Sequence, residues 1–359
     1  LKSLSFSNEP FLIDIKYKNV NKINKKQKEA KVIGELISND NDWVPFKGRL
    51  GEKIYKGKIR LKGDFNDHWS DDNLWSYKIK LKGDQTFLGM KKFALQHPRT
   101  RGYMTDWYFQ KLLGHSGLIE SRYFYLPIQI NGKKYPIYQL EENKGKRLIE
   151  FNNRREGPVF KIFSRNPSFK DFDYKLSFYQ EKKWSSNNQG DFLLRRAERL
   201  INDLFYNRKN IEEIFDIDLF AKAFAILDLF GSDLHAIGPD NITFYLNPVT
   251  GLIEPIPFDL GRQVFEDLTS PSLIGERLQS RFNTNSKNKE VFIKENITNA
   301  GHFSFIRPLL NSEKFYKIYI SYLEKYSQRK WIDNFFDKIS KEEKEVIKVL
   351  HKSYPWYVS

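Results

Sequence analysis

The stretch "YFYLPIQINGKKYPIYQLEE", residues 123 to 142, decides the fold of the first half of the chain. Apolar and polar residues alternate on both sides of its centre, which is the period of a strand with one buried face. Asn131-Gly132 separates the two runs, and this dipeptide accepts the positive φ angles of a tight turn. The stretch therefore predicts a β-hairpin.

The same alternation extends towards the N-terminus. It recurs in "FLIDIKYKNV" (11–20), "KGKIRLKGD" (56–64) and "WSYKIKLKGD" (75–84). The last two stretches are self-similar, which predicts neighbouring strands that each end in a Lys-Gly-Asp turn. One helix is expected within this β-rich region, in "MTDWYFQKLLGHSG" (104–117), beginning near Thr105.

From Phe192 onward the period lengthens to that of helices, and "DIDLFAKAFAILDLFGS" (216–232) has the nearly continuous apolar surface of a buried helix. A second hairpin, "NITFYLNPVTGLIEPIPFD" (241–259), lies among the helices. The fold class predicted is α+β. The order of elements is that of a protein kinase: a β-rich N-terminal lobe, residues 1–190, followed by a mainly helical C-terminal lobe, residues 191–359, that carries the hairpin.

The amino-acid composition excludes some kinds of catalytic and metal site and favours some classes of partner. The chain has 359 residues, of which 40% are hydrophobic and 16% aromatic, so we expect a sizeable core. The absence of Cys excludes thiol catalysis, disulfides and Cys-ligated zinc. A net charge of +15 favours anionic partners such as nucleotides, nucleic acid, acidic polymers or anionic lipid, or reflects a solvated lysine-rich surface.

No stretch approaches the about 20 apolar residues of a transmembrane helix. The chain begins at Leu1 and not at Met, so we expect a processed or truncated form. Its compartment, cytoplasm or cell envelope, stays open.

Two basic pairs lie on the predicted neighbouring strands. Arg60 and Lys62 share one face of the first, and Lys78 and Lys80 share one face of the second. They predict either the lining of a phosphate-binding cleft or the solvated face of an antiparallel sheet.

Three polar side chains surround the second hairpin. Asp233 follows the buried helix, Asn241 opens the first strand, and Asp259 follows the apolar end of the second. Carboxylate and amide oxygens at the ends of adjacent elements suit Mg²⁺, which fills its remaining positions with water and substrate phosphate. Singly, each residue also fits an ordinary cap or turn.

Taken in order, an Asp, an Asn and an Asp-Leu-Gly after an apolar strand follow the logic of kinases, in which the first Asp orients the acceptor hydroxyl and the others hold metal. The interval from Asp233 to Asn241 is longer than the D-x-x-x-x-N interval of conventional kinases, and the chain has no G-x-G-x-x-G loop. A standard eukaryotic-type kinase is thus rejected.

From about Lys56 to Phe265 the chain resembles the CotH kinase family, the atypical kinases named for a bacterial spore-coat protein. The resemblance is carried by "KIRLKGD", "SYKIKLKGD", "GMKKFALQHP", "IQINGKKYPIYQLEENKGKRLIE" and "DNITFYLNPVTGLIEPIPFDLGR". It implies a kinase-like fold, ATP with Mg²⁺ or Mn²⁺, and transfer of the γ-phosphate to a hydroxyl of a protein Ser/Thr or a glycan.

The resemblance also implies roles for single residues. Asp233 would be the catalytic Asp and Asn241 and Asp259 the metal ligands, with Asp240 as a rival to Asn241. Glu142 would pair with the phosphate-binding lysine, Lys78 or Lys80, and Glu141 competes with Glu142 for that role. His235 either assists Asp233 or is structural.

Four arginines are further candidates. Arg99 and Arg101 could bind phosphate or an acidic acceptor, and Arg154 and Arg155 could bind the acceptor, although surface ion pairs are the alternative. The expected partner is a hydroxyl-bearing protein or glycan of acidic character, with no specific nucleic acid.

Two alternatives remain. The first is an inactive kinase-fold scaffold that binds an acidic envelope or coat polymer. The second is a nucleic-acid-binding protein, which predicts aromatic residues interleaved with exposed basic residues on one sheet face.

Overall fold

Seven strands hydrogen-bond in the order β1-β2-β3-β4-β5-β7-β6 and close into a barrel in a computed structural model of the chain. β1 is parallel to β6 and closes the ring, and the neighbouring pairs are otherwise antiparallel. The strands are β1 Phe11–Asp14, β2 Val44–Leu50, β3 Lys53–Leu61, β4 Tyr77–Leu81, β5 Lys92–Gln96, β6 Tyr123–Ile130 and β7 Lys133–Glu142. The structure describes residues 9–64, 66–164, 174–232, 236–237, 241–260 and 305–358.

The barrel interior is filled by the apolar half of each alternating pattern. Ile59, Ile79 and Phe93 are fully buried there, together with Phe11 and Leu140. Successive residues of a strand point to opposite faces, so the polar residues between them point outward. The predicted neighbours β3 and β4 are paired, with Ile59 opposite Ile79.

The hairpin predicted at Asn131-Gly132 is confirmed. Ile130 pairs with Lys133, and the two turn residues have φ angles of 48° and 82°. The Asn131 side chain also joins β6 to the segment after β1: its Oδ1 accepts a hydrogen bond of 2.7 Å from the Ile15 N–H, and its Nδ2 donates to the Ile15 carbonyl at 2.9 Å. One side chain thus fixes both the turn and the closure of the barrel.

The strand predicted over residues 11–20 is confirmed only for Phe11–Asp14, because a helix that the sequence did not suggest begins at Tyr17. α1, Tyr17–Ile33, buries Ile23 and Ala30, but also Asn19 and Gln27. Gln27 Nε2 donates to the Trp69 carbonyl at 2.9 Å, so a polar residue occupies a position in the buried stripe. Two polar residues in that stripe hide the helical period. The helix expected near Thr105 is present as α2, Thr105–His115.

A second sheet has the order β11-β10-β8-β9, with β8 Val159–Ser164, β9 Tyr174–Phe178, β10 Thr243–Leu246 and β11 Ile253–Ile256. The predicted buried helix is α6, Ile217–Leu229, and Phe220 and Phe224 are fully buried in it. The other helices are α3 Lys146–Phe151, α4 Glu181–Trp184, α5 Asn188–Phe205, α7 Ile306–Leu310, α8 Glu313–Tyr326 and α9 Arg329–His351.

The fold is therefore α+β, as predicted, but the sequence did not indicate that the first sheet closes into a barrel. The chain divides into two compact units, one of Leu1–Trp107, Ser121–Asn143 and Asp337–Ser359, the other of Tyr108–Glu120 and Lys144–Phe336. The predicted lobes, 1–190 and 191–359, remain a prediction. Among the described helices, none is both long and apolar enough to cross a bilayer.

We expect Asn131→Ala to lower the free energy of unfolding by about 1–3 kcal/mol, because it removes both bonds to Ile15 and leaves a residue with a side chain at positive φ. Asn131→Asp keeps the acceptor and should lose less. Urea unfolding followed by tryptophan fluorescence measures both. The exposed neighbour substitution Lys134→Ala is the control, and an Asn131→Ala midpoint equal to that of this control would show that Asn131 does not close the barrel.

Candidate functional site

Lys62 lies directly after β3, where its N–H still bonds to the Ser76 carbonyl at 2.9 Å, so its side chain continues the outward face of the strand. Its ammonium donates to Gln96 Oε1 at 2.6 Å and lies 3.2 Å from Glu141 Oε1. The side chains of Lys62 and Glu141 are only 12% and 6% exposed. They form a largely buried ion pair on the outside of the barrel.

Glu141 has a second cationic partner. Arg101 Nε donates to Glu141 Oε2 at 2.9 Å and lies 3.4 Å from Asp106 Oδ2. Gln96 Nε2 donates to the same Glu141 oxygen at 2.7 Å. Two cations therefore face two carboxylates in a buried group, which offsets the cost of removing these charges from water. We call Lys62, Gln96, Arg101, Asp106 and Glu141 the Glu141 cluster.

Neutral hydrogen bonds support the Glu141 cluster. Gln139, the register partner of Gln96, donates from Nε2 to the Tyr125 hydroxyl at 2.8 Å. That hydroxyl in turn donates to the Tyr103 carbonyl at 2.7 Å. Arg101 belongs to a 3₁₀ helix, Pro98–Arg101, just before Tyr103. These bonds fix the segment after β5, which contains Arg101 and Tyr103, against β6 and β7.

The positive charges of this region affect the pKa of the buried His68. Its Nδ1 lies 2.9 Å from the Ser76 hydroxyl. Burial, reinforced by the charges of Lys62 and Arg101, lowers the pKa of His68 to about 3. The imidazole is thus neutral at physiological pH.

Glu142 points to the opposite side of β7 and has a different partner. Arg122 holds it with two bonds, Nη2 to Oε1 at 2.5 Å and Nε to Oε2 at 2.7 Å. The same guanidinium donates to the Gly89 carbonyl at 3.2 Å. The expected pairing of Glu142 with Lys78 or Lys80 is therefore wrong: Glu142 pairs with Arg122, and the neighbouring Glu141, on the other face of the strand, pairs with Lys62.

The other predicted basic residues lie further along the outward face. Arg60 pairs with Lys78 in the β3–β4 register. Arg60 Cζ lies 5.1 Å, and Lys80 Nζ 4.2 Å, from the centre of the Trp43 ring. Trp43 therefore holds Arg60 and Lys80 by cation–π contacts.

Asn241 and Asp259 lie at the same end of the β10–β11 hairpin, since Thr243 pairs with Ile256. Both are partly buried. Asp259 has a φ of 61°, a left-handed conformation that is uncommon for a residue with a side chain and clusters at functional sites. Lys144 is buried with its Nζ 2.8 Å from the centre of the ring of Phe258, the residue before Asp259. Asp233, His235 and Asp240 lie outside the described residues.

The donor set at this hairpin end fits Mg²⁺ or Mn²⁺. Within the described part of the chain, no group of three or more His, Asp or Glu could hold a metal. Mg²⁺ needs fewer protein ligands than that, because it takes one or two carboxylates and completes its octahedron with water and phosphate oxygens. Asn241 and Asp259 supply suitable oxygens.

Of the predicted arginines, Arg101 is in the Glu141 cluster. Arg154 instead donates from Nε to Glu254 Oε2 at 3.0 Å, an internal ion pair of the second unit. Arg99 and Arg155 are exposed. Sequence reasoning missed Gln96, Arg122 and Lys144, although the alternation of β5 and β7 places Gln96 and Glu141 on one face.

The family described as CotH kinase protein matches residues 59–355, more than half of the chain. The chain belongs to this CotH kinase family. The match includes the Glu141 cluster and the β10–β11 hairpin, and it runs beyond the region of resemblance, past the end of α9. No curated protein matches the chain.

Lys62→Met should raise the pKa of His68 above about 3 but leave it below 6.5, because a repelling charge is removed while burial remains. Nuclear magnetic resonance titration of the imidazole measures this pKa, with Lys134→Met as the control. An unchanged His68 pKa would show that the Lys62 ammonium does not act on this ring.

The pKa of His68 is lower in the folded chain than its usual 6.5, so the unfolded chain binds the proton first as the pH falls. We expect His68 to reduce the free energy of unfolding by about 1.4 kcal/mol per pH unit between pH 6.5 and 3. His68→Gln should flatten this dependence in urea unfolding series. An equal slope in both proteins would contradict the burial of a neutral His68.

Proposed function

We propose that the chain is an ATP-dependent kinase that transfers the γ-phosphate to a hydroxyl of a protein Ser/Thr or a glycan. The observation that carries the proposal is the buried ion pair of Lys62 and Glu141 in a member of the CotH kinase family. Kinases use a Lys–Glu pair to hold the α- and β-phosphates of ATP. The proposal includes a two-lobed, kinase-like arrangement of residues 1–190 and 191–359.

We assign the binding of the α- and β-phosphates of ATP to Lys62. Glu141 and Gln96 restrain its ammonium, and Arg101 restrains Glu141 from the other side. A cation that is already oriented loses little freedom when it meets the developing charge of the reaction, which is the main source of electrostatic catalysis. Arg60, Lys78 and Lys80, which share the outward face, add to the potential that attracts the anionic nucleotide.

Asn241 and Asp259 are the proposed ligands of Mg²⁺ or Mn²⁺. The metal, when bound, neutralises charge on the β- and γ-phosphate oxygens. The left-handed backbone of Asp259 supports this role, since strain of this kind costs of order 1–3 kcal/mol and persists where function needs the resulting direction of the side chain.

Asp233 is the proposed base. In this reaction the acceptor oxygen attacks the γ-phosphorus, the bond from that phosphorus to the β–γ bridging oxygen breaks, and ADP leaves. The hydroxyl proton passes to the Asp233 carboxylate. Asp240 remains the rival of Asn241 as a ligand.

The nucleic-acid alternative finds no support on the basic sheet face. The outward residues of β2 to β5 in the described barrel are aliphatic, amide or basic, without an aromatic residue among them. The bases of single strands stack on open aromatic rings. The inactive scaffold is separated from the kinase by the two experiments below.

Lys62→Met should reduce kcat/KM for phosphate transfer by ~100-fold or more, because an oriented charge at the transferred group is lost. Transfer from γ-labelled ATP in the presence of Mg²⁺ or Mn²⁺ measures this, with protein and glycan acceptors in parallel. The exposed control Lys134→Met should retain the activity. Equal activity of the two variants, or none in the unmodified chain, would reject the assignment.

Asp259→Gly should separate stability from function. Glycine adopts positive φ without strain, so the variant should fold, while Mg²⁺-dependent stabilisation by ATP should disappear. Asp259→Asn should behave similarly, because it keeps the shape and removes the charge. A thermal shift with Mg²⁺-ATP that survives in both variants would remove Asp259 from the metal site.

A further inference from the structure

Six lysines cover the outward side of four adjacent barrel strands. They come from β2, β3, the end of β4 and β5, and we call them the lysine face: Lys47, Lys56, Lys58, Lys80, Lys82 and Lys92. Each is exposed or partly exposed. None of them belongs to the Glu141 cluster.

Five of the six lysines stand directly opposite another lysine on the neighbouring strand. Lys47 pairs with Lys56, and Lys80 pairs with both Lys58 and Lys92. Like charges in such positions repel and destabilise a sheet. Within the described part of the chain, no carboxylate lies within ion-pair distance of these six side chains.

Among the described residues, three acidic side chains lie beside the lysine face. Asp14 stands opposite Lys47 on β1, and Asp40 and Asp42 act on Arg60 at the other end. Burial lowers the pKa of Lys80, the nearby Asp40 carboxylate acts in the opposite direction, and repulsion from Lys58, Lys92 and Arg60 adds to the lowering. The face is thus a concentrated positive surface, on which Asp14 and Asp40 offset only part of the charge of the six lysines.

The spacing of the charges identifies the partner. Alternate residues on a strand lie about 6.6–6.8 Å apart, and neighbouring strands lie about 4.8 Å apart. Alternate side chains of an extended acidic polypeptide have the same spacing. Its carboxylates therefore match Lys56 and Lys58, which are two residues apart on β3. We infer that the lysine face binds an acidic segment of a polypeptide, and that this segment belongs to the acceptor of the phosphate.

A nucleic acid fits this surface less well. The one ring close to the face, Trp43, already contacts Arg60 and Lys80, so no open aromatic ring is present for bases among the described residues of these strands. Lysine also carries a compact charge that suits non-specific attraction of carboxylates, without the planar fork with which arginine recognises phosphate.

The test uses the full chain with Lys56, Lys58 and Lys82 each replaced by Glu. These three side chains are exposed. Lys56→Glu and Lys58→Glu also turn repelling pairs with Lys47 and Lys80 into attracting ones, so the barrel should fold. The control has the same change in charge at exposed positions of α9: Lys330→Glu, Lys338→Glu and Lys341→Glu.

Fluorescence anisotropy with a labelled Asp/Glu-rich peptide containing Ser, without ATP or metal, measures binding. We expect the lysine-face variant to lose ~10-fold or more in affinity and the control to lose ~3-fold or less, with binding that weakens as salt rises. Equal losses in both variants would overturn the inference. Tighter binding of single-stranded DNA or an anionic polysaccharide of equal charge would overturn it as well.

The inference rests on the proposed function only where it calls the bound polypeptide an acceptor. Thermal shift with Mg²⁺-ATP tests the kinase separately, because none of the three replaced lysines is assigned to ATP. Peptide binding without any ATP-dependent stabilisation would reject the kinase and retain the docking surface. Stabilisation by ATP without peptide binding would reject the docking surface and retain the kinase.

Discussion

The carboxylate of Glu141 is the constraint on which the candidate site of the first unit depends. It accepts hydrogen bonds from Lys62, Arg101 and Gln96 while being almost fully buried. A buried carboxylate is tolerated only with such partners, and the removal of one of them typically costs about 3–5 kcal/mol. The same contacts tie the end of β3, the strands β5 and β7 and the segment after β5 into one arrangement. The structural demand and the proposed role in ATP binding therefore fall on a single side chain.

Much of the fold follows from local patterns. The Asn131-Gly132 hairpin, the β3–β4 pair and the buried helix α6 are each encoded in a few consecutive residues. Closure of the barrel is not, because Leu12 meets Gln129 across more than a hundred residues and nothing local specifies that meeting. Helix α1 was hidden by the polar Asn19 and Gln27 in its buried stripe.

Most acidic and basic residues of the candidate site could be named from the sequence, but the ion pairs between them could not. Glu141 and Glu142 are neighbours, and the sequence cannot tell which of two opposite faces is covered by another segment. The choice is made by Arg101 on one side and Arg122 on the other, and Arg122 carries no signal of its own in the sequence. By contrast, Asn241 and Asp259, which stay predicted metal ligands, could be placed at one end of a hairpin from the sequence because both flank it.

The closed barrel has a consequence for how the lysine face meets other chains. An open sheet offers unpaired N–H and C=O groups along its edge, and many partners bind by adding a strand there. In a closed ring these groups are already paired, so recognition depends on side chains alone. Flexible lysines respond to the density of negative charge on the bound polypeptide and not to the order of its residues. Such a surface would accept many different sequences, provided that each is acidic over a similar length.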